Sequence, residues 1–110
     1  MTPDQARRVL GLVGLGLRSR NAVVGVEQVR GAAKRGTLAL ALVASDASEN
    51  SLAKLVPLLR GRRVKMVEGL AAAQLGAVTG RTLTAAVGII DHQLARGILG
   101  VVNSDSPEST

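Results

Sequence analysis

The segment "VVGVEQVRGAAKRGTLALALVA", from Val23 to Ala44, carries in succession the patterns of a strand, a helix and a second strand. The first apolar run stops at a glycine, and Gly25 to Arg35 is predicted to form a short helix that Gly36 ends in a left-handed cap. Thr37 to Ala44 is apolar throughout, as expected of a strand buried on both faces of a sheet. This unit predicts an α/β protein.

The same alternation of helices and strands continues on both sides of this unit. Thr2 is the expected N-cap of a first helix, with Pro3 at its first position. This first helix is predicted to extend through Leu17. Strands are predicted at Ala22–Val24, Val64–Val67 and Ala85–Ile90. Further helices are predicted from the segment "SDASEN" to about Arg60, over Gly69–Val78 and over His92–Leu99. Pro57 is expected to kink its helix or end it early. Helices on both faces of a central sheet predict a three-layer sandwich.

Composition limits the kind of core and the class of protein. The 110 residues suit one domain, and 46% of them are apolar, but there is no Phe, Tyr, Trp or Cys. The core is therefore aliphatic, and disulfides and thiolate chemistry are excluded. No apolar run has the length of a membrane span, and no secretory signal is recognisable, so a soluble cytoplasmic protein is expected. We predict one domain over residues 1–102 and a disordered, acidic, Ser-rich tail over 103–110.

The charge indicates a polyanion as the partner. The formal net charge is +6, and the last eight residues contribute two acids and no base, so the preceding residues carry +8. Basic residues cluster at Arg18/Arg20, at Arg30/Lys34/Arg35 and at Arg60/Arg62/Arg63/Lys65. A nucleic acid is the usual partner of such a protein, although a merely solvated basic surface has the same composition. Without aromatic side chains to stack a base, recognition of RNA would depend on shape, phosphates and base edges.

Few residues in the sequence could perform catalysis. The single histidine, His92, follows Asp91, but adjacent residues at a strand end point apart, and Asp91 is better explained as a helix N-cap. The glycines of "GLVGLGLRSR" follow no strand and lack the phosphate-loop lysine, so they indicate helix packing. In "ASDASEN", Ser45, Asp46 or Ser48 is expected to cap the next helix. We therefore predict no enzymatic activity, metal or cofactor.

Three segments together resemble one protein family. They are "GVEQVRGAAKRG", "LALVASDASEN" and "TGRTLTAAVGIID". With the order of elements, they resemble the kink-turn-binding ribosomal protein superfamily, which includes large-subunit proteins L-seven-Ae and L-thirty-e, and its small bacterial YlxQ-type members above all. The resemblance covers about Ala6 to Leu99. It implies an α-β-α sandwich around a mixed four-stranded sheet and a non-enzymatic protein that binds kink-turns, which are internal RNA loops with sheared G·A pairs beside a bulge.

The resemblance also implies a set of RNA-binding residues. Gly25 would let the backbone approach RNA, while Glu27 and Gln28 would meet the edges of the G·A pairs. Arg30 and Lys34 would reach phosphates, and the loop from Gly80 to Thr84 would cover the bulged nucleotides. The complete predicted set is Gly25, Val26, Glu27, Gln28, Arg30, Lys34, Arg81, Thr82, Leu83 and Thr84.

Two features of the sequence depart from the family pattern. The family usually has a lysine or arginine three residues beyond the second polar position, where this chain has Gly31. Glu27 stands where archaeal members commonly have asparagine. The main hypothesis is a monomeric RNA-binding protein associated with translation or the ribosome, and the alternative is a protein-interaction module on the same fold that has lost kink-turn binding.

Overall fold

The protein folds as alternating helices and strands. The computed structural model describes residues 1–104. Within them the helices are α1 (Pro3–Arg18), α2 (Val26–Arg35), α3 (Glu49–Gly61), α4 (Ala72–Thr79) and α5 (His92–Val102). The strands are β1 (Ala22–Val24), β2 (Leu40–Val43), β3 (Met66–Val67) and β4 (Ala86–Ile89). The predicted order of elements is confirmed, although each strand after β1 is shorter than predicted.

The four strands form one mixed sheet in the order β1-β4-β2-β3. Strand β4 pairs antiparallel with both β1 and β2, while β3 pairs parallel with β2. As a result β1, β2 and β3 end, and β4 begins, at the same edge of the sheet, which we call the upper edge. The opposite edge, where β1, β2 and β3 begin, is the lower edge. This topology decides which loops are neighbours.

Helices cover both faces of the sheet. In β2, Leu40 and Leu42 point into a core shared with α1, α4 and α5, whereas Ala41 and Val43 point into a second core shared with α2 and α3. Both cores are aliphatic, and their fully buried large side chains are Leu40, Leu42, Leu55, Leu59, Leu70, Leu75, Ile89, Ile98, Val9, Val13, Val29 and Val87. The predicted three-layer sandwich is confirmed. The three layers pack without aromatic side chains because many weak dispersion contacts between aliphatic side chains add up.

The helix caps are partly those expected. Thr2 caps α1, and the Asp91 carboxylate caps α5. Of the three candidates in "ASDASEN", Ser48 caps α3. Asp46 instead accepts a hydrogen bond of 2.8 Å from the backbone N–H of Ala72, at the start of α4. Its carboxylate therefore links the loop after β2 to a helix that begins 26 residues later.

Pro57 does not end its helix early. Helix α3 continues through Gly61, four residues beyond the proline. Leu55 and Leu59, on either side of Pro57, are completely buried. Burial of these two side chains against the sheet offsets the backbone hydrogen bond that a proline cannot donate. Pro57 itself is exposed, so its ring does not disturb the core.

The folded part includes the first residues of the predicted tail. Asn103 is the C-cap of α5, and the carbonyl oxygen of Ser104 accepts a hydrogen bond from the Gln5 side chain. Residues 105–110 of that tail lie outside the described residues. No helix within residues 1–104 has the length and hydropathy needed to cross a membrane.

Candidate functional site

The amino end of α2 is exposed at the upper edge, directly after β1. Gly25 extends the strand by donating its N–H to the carbonyl oxygen of Ala86, at 2.9 Å, and then serves as the N-cap of α2. Its φ of 99° and ψ of 158° lie in a region that is essentially restricted to glycine. Because Gly25 has no side chain, no cap covers the first N–H groups of the helix, and a ligand could approach the backbone closely.

Two polar side chains follow at this helix end, and both are exposed. Glu27 and Gln28 point into solvent, whereas Val29 is completely buried and anchors the helix. The Glu27 side chain is 74% exposed, and its oxygens lie 3.8 Å from Arg30 Nε and 3.8 Å from Lys54 Nζ. Exposed ion pairs of this kind contribute about 0–1 kcal/mol, so the carboxylate can exchange these partners for a ligand at little cost.

The loop between α4 and β4 lies beside Gly25. A Cβ atom placed on Gly25 would be 3.5 Å from Nη1 of Arg81. Arg81, Thr82 and Leu83 are exposed, and Leu83 is 63% exposed although it is apolar. Two of the segments that carry the family resemblance, far apart in the chain, therefore form one surface. We call it the upper-edge site and define it as residues 25–28 with residues 81–83.

Thr84 was predicted to bind the ligand, but its side chain is buried. It is 3% exposed, and its hydroxyl lies 2.8 Å from the hydroxyl of Thr79. Its N–H donates to the carbonyl oxygen of Ala72, at 3.0 Å. Thr84 therefore fixes the end of the loop against α4 and presents no side chain to a ligand. The burial arises because the loop turns inward there to enter β4.

Gly76 allows the loop to pack directly on α4. The Arg81 N–H donates to the carbonyl oxygen of Gly76, at 2.8 Å. A Cβ on Gly76 would lie 2.5 Å from the carbonyl oxygen of Thr82 and 2.7 Å from that of Arg81. These distances are well below a normal van der Waals contact, so only glycine fits here without displacing the loop. The sequence analysis did not identify this residue, and nothing in the local pattern points to it.

Two other predicted contact residues are largely committed to the fold. Arg30 is only 27% exposed, and its guanidinium donates a hydrogen bond to the carbonyl oxygen of Lys54 on α3. Val26 is half-buried and packs against the core under α2 and α3. Lys34, by contrast, has an exposed side chain, while its carbonyl oxygen accepts a hydrogen bond of 2.9 Å from Arg62.

Arg35 lies over the position that departs from the family pattern. A Cβ on Gly31 would be 3.2 Å from Nη1 of Arg35. The two residues are one helical turn apart, which brings the arginine side chain onto the glycine. The Arg35 guanidinium thus lies close to position 31, where the family usually has a lysine or arginine. The i, i+4 spacing was visible in the sequence, but the direction of the side chain was not.

The upper edge is not the most basic part of the protein. Acidic residues come shortly after each of the three strands that end there, either in the loop or in the first turn of the next helix. They are Glu27, Asp46, Glu49 and Glu68. Among the described residues no group of three His, Asp or Glu side chains could hold a metal ion. One cleft, of about 610 Å³, is lined by Met1, Thr2, Asp4, Gln5, Arg8, Glu68, Val102 and Ser104. It includes none of the residues of the upper-edge site, 25–28 and 81–83.

Solved structures with the same fold include two of nearly the same length. A Bacillus halodurans protein of unknown function is 25% identical, with a TM-score of 0.81 over 88% of this chain and 98% of its own. A Giardia lamblia 15.5kD RNA binding protein is 20% identical, with a TM-score of 0.77 over 93% of this chain and 88% of its own. No curated protein sequence matches the chain significantly.

The family model that matches the chain agrees with the resemblance noted in the sequence. It is that of the ribosomal protein L7Ae/L30e/S12e/Gadd45 family, and it matches residues 7–97. The match includes all of the upper-edge site and every strand of the sheet. The chain therefore belongs to the ribosomal protein L7Ae/L30e/S12e/Gadd45 family.

Proposed function

We propose that the protein binds kink-turn RNA through the upper-edge site and is a non-enzymatic component of the ribosome or of translation. The observation that carries the proposal is the open amino end of α2, where Glu27 and Gln28 are exposed beside the Arg81 loop. The family match and the RNA-binding neighbour from Giardia lamblia support RNA as the partner. We further propose that the protein acts as a cytoplasmic monomer without a cofactor.

The chemistry of the two exposed side chains suits the edges of paired purines. The Glu27 carboxylate can only accept hydrogen bonds, as guanine N–H groups require, while the Gln28 amide both donates and accepts. Sheared G·A pairs expose base edges of both kinds. An acid on a basic protein is then explained, because it contacts a base and leaves the phosphates to cations.

The loop would complete the site around the bulged nucleotides. Leu83 offers an apolar contact to an unstacked base, and Arg81 and Thr82 offer polar ones. Arg81 lies beside Gly25, so the same guanidinium could reach a phosphate that approaches the glycine. Thr84 has no direct part in this scheme and positions the loop.

Phosphate contacts along α2 would come from Arg35 and Lys34. Arg35 covers Gly31 and supplies the cation that this position lacks. Lys34 is exposed on the same helix. Arg30 contributes mainly by joining α2 to α3, since its guanidinium already has a partner. Gly31 by itself favoured the alternative that the protein has lost kink-turn binding. The position of Arg35 over Gly31 makes that alternative weaker.

The test is a double substitution, Glu27→Ala with Gln28→Ala. Binding should be measured by gel shift against a kink-turn duplex and against the same RNA with its G·A pairs replaced. We expect the preference for the kink-turn to fall at least about 30-fold, because two base-edge contacts of about 1–3 kcal/mol each give at least about 2 kcal/mol of discrimination. Residual, salt-sensitive binding should persist.

The matched control is Glu68→Ala with Gln93→Ala, which removes an exposed acid and an exposed amide elsewhere. This control should keep the full preference. Full discrimination by the Glu27/Gln28 variant would refute the assignment of the site. If the unmodified protein shows no preference for either RNA, the protein-interaction alternative replaces the proposed function.

A further inference from the structure

A basic surface lies at the lower edge, away from the upper-edge site. It consists of Arg60, Arg62, Arg63 and Lys65, all exposed, in the turn from α3 into β3. We call it the basic turn. Nothing in the proposed kink-turn contacts uses these four cations, although they form the densest basic run in the sequence.

The fold connects the basic turn to the carboxyl end of α2. The Arg62 guanidinium donates a hydrogen bond of 2.9 Å to the carbonyl oxygen of Lys34, next to the last residue of α2. Lys65 lies directly before β3, and its carbonyl oxygen accepts from the N–H of Ala41 in β2. The upper-edge site is at the opposite end of the same helix. Since α2 has ten residues, it separates the two surfaces by about 15 Å.

The two chain segments that form the basic turn and its neighbouring elements α2 and β2 contain almost no acid. Neither Gln28 to Ser45 nor Asn50 to Val67 contains an Asp or a Glu, although together they hold eight of the 14 basic residues. The ion pairs within residues 1–104 use the carboxylates of Asp4 and Glu27 and none of the basic-turn cations. No ion pair within residues 1–104 therefore neutralises the four basic-turn cations.

The residue types at this surface suit phosphates and do not suit bases. Three of the four cations are arginines, whose planar guanidinium matches phosphate geometry. The chain has no aromatic residue to stack a base, and residues 51–67 contain no Asn or Gln whose amide could pair with a base edge. Such a surface would hold a sugar-phosphate backbone without reading its sequence.

From these observations we infer that the basic turn is a second RNA contact, which binds the phosphate backbone of a helical stem beside the kink-turn. The inference deepens the proposed function, because it takes RNA as the partner. A distance of about 15 Å corresponds to roughly four to five phosphates of one strand, taking about 3.4 Å per nucleotide as the scale. One helix, α2, would thus span from the internal loop to the stem.

The test uses Arg60→Gln, Arg63→Asn and Lys65→Gln together. Arg62 is kept because it joins α2 to α3. Asparagine is chosen at Arg63 because the φ of 57° there is left-handed, which asparagine tolerates. The control, Arg7→Gln with Arg8→Gln and Arg96→Gln, removes the same charge from exposed positions on the opposite layer. Circular dichroism and thermal melting confirm that both variants are folded.

Each protein is titrated with kink-turn RNAs that have two long stems of about 12 base pairs or one stem cut to about three. For the long-stem RNA, we expect the basic-turn variant to bind at least 10-fold more weakly than the control variant. The slope of log K against log salt concentration should also become shallower by roughly 2–3, because each lost phosphate contact removes about 0.9. For the RNA lacking the contacted stem, the two variants should bind equally. A plain duplex should also distinguish them, even if kink-turn preference is absent.

Equal loss of affinity in the two variants would refute the inference, because the basic turn would then act only through net charge. An unchanged affinity of the basic-turn variant for the long-stem RNA would refute it as well, and the proposed function would stand. The inference would also be refuted if the basic-turn variant lost binding to phosphatidylserine vesicles but kept its binding to RNA. That result would assign the basic turn to a membrane surface.

Discussion

The substitution Gly76→Ala tests how the upper-edge site is held together. Gly76 lies in the middle of α4, and the backbone of the loop that carries Arg81 and Leu83 packs directly on it. An alanine methyl group would lie 2.5 Å from the Thr82 carbonyl oxygen, compared with about 3.4 Å for a close normal contact. The loop would have to move by about 1 Å.

Two opposing terms set the effect on stability. Alanine in place of glycine inside a helix stabilises by about 1 kcal/mol. Insertion of a methyl group into a filled space costs about 1–3 kcal/mol when backbone must shift. Hydrogen bonds from Arg81 and Thr84 to α4 restrain that shift, so the loop cannot yield without losing them. The steric term is expected to match or exceed the helical gain.

Gly11→Ala is the matched control. Gly11 is exposed in the interior of α1, and a Cβ there meets no other atom within 4 Å. It should show the helical gain alone. Urea denaturation should therefore place the free energy of unfolding of the Gly76 variant about 1–3 kcal/mol below that of the Gly11 variant. Affinity for kink-turn RNA should fall in the Gly76 variant only, because its loop moves away from Gly25.

Equal unfolding free energies for the two alanine variants would refute the steric reasoning, since the loop would then have yielded at no cost. Unequal stabilities with unchanged RNA affinity would instead separate the loop from the site. In that case residues 81–83 would not belong to the contact surface, whatever the role of α2.

Three further substitutions test the local physics. Gly25→Ala should destabilise the protein by about 1–3 kcal/mol, because the φ of 99° suits only glycine; a urea midpoint equal to that of the wild type would contradict this. Asp46→Ala should cost about 1 kcal/mol by removing the cap on Ala72, and Asp46→Asn should restore most of it; equal thermal melting of both variants would show that the cap contributes nothing. Pro57→Ala should raise the free energy of unfolding by about 1–3 kcal/mol, since α3 regains a hydrogen bond at an exposed position; a lower urea midpoint would overturn this.

Residues close together in the chain determined most of the fold. The strand at Ala22–Val24, the left-handed cap at Gly36 and the N-caps Thr2 and Asp91 were all predictable. Each depends on interactions within about four residues, where periodicity and capping preferences act. The exposed pair at Glu27 and Gln28 was likewise predictable from its place at a helix start, although its role depended on the family resemblance.

The tertiary structure alone decided how distant segments meet. The order of the strands places Arg81 beside Gly25, and the loop that carries Arg81 packs on Gly76. Asp46 precedes α3 in the chain but accepts its hydrogen bond from the start of α4. It also buries Thr84, which looked like a polar loop residue. Such contacts follow from strand register and layer packing, which are set by the burial of the whole core and leave no signal in the local pattern.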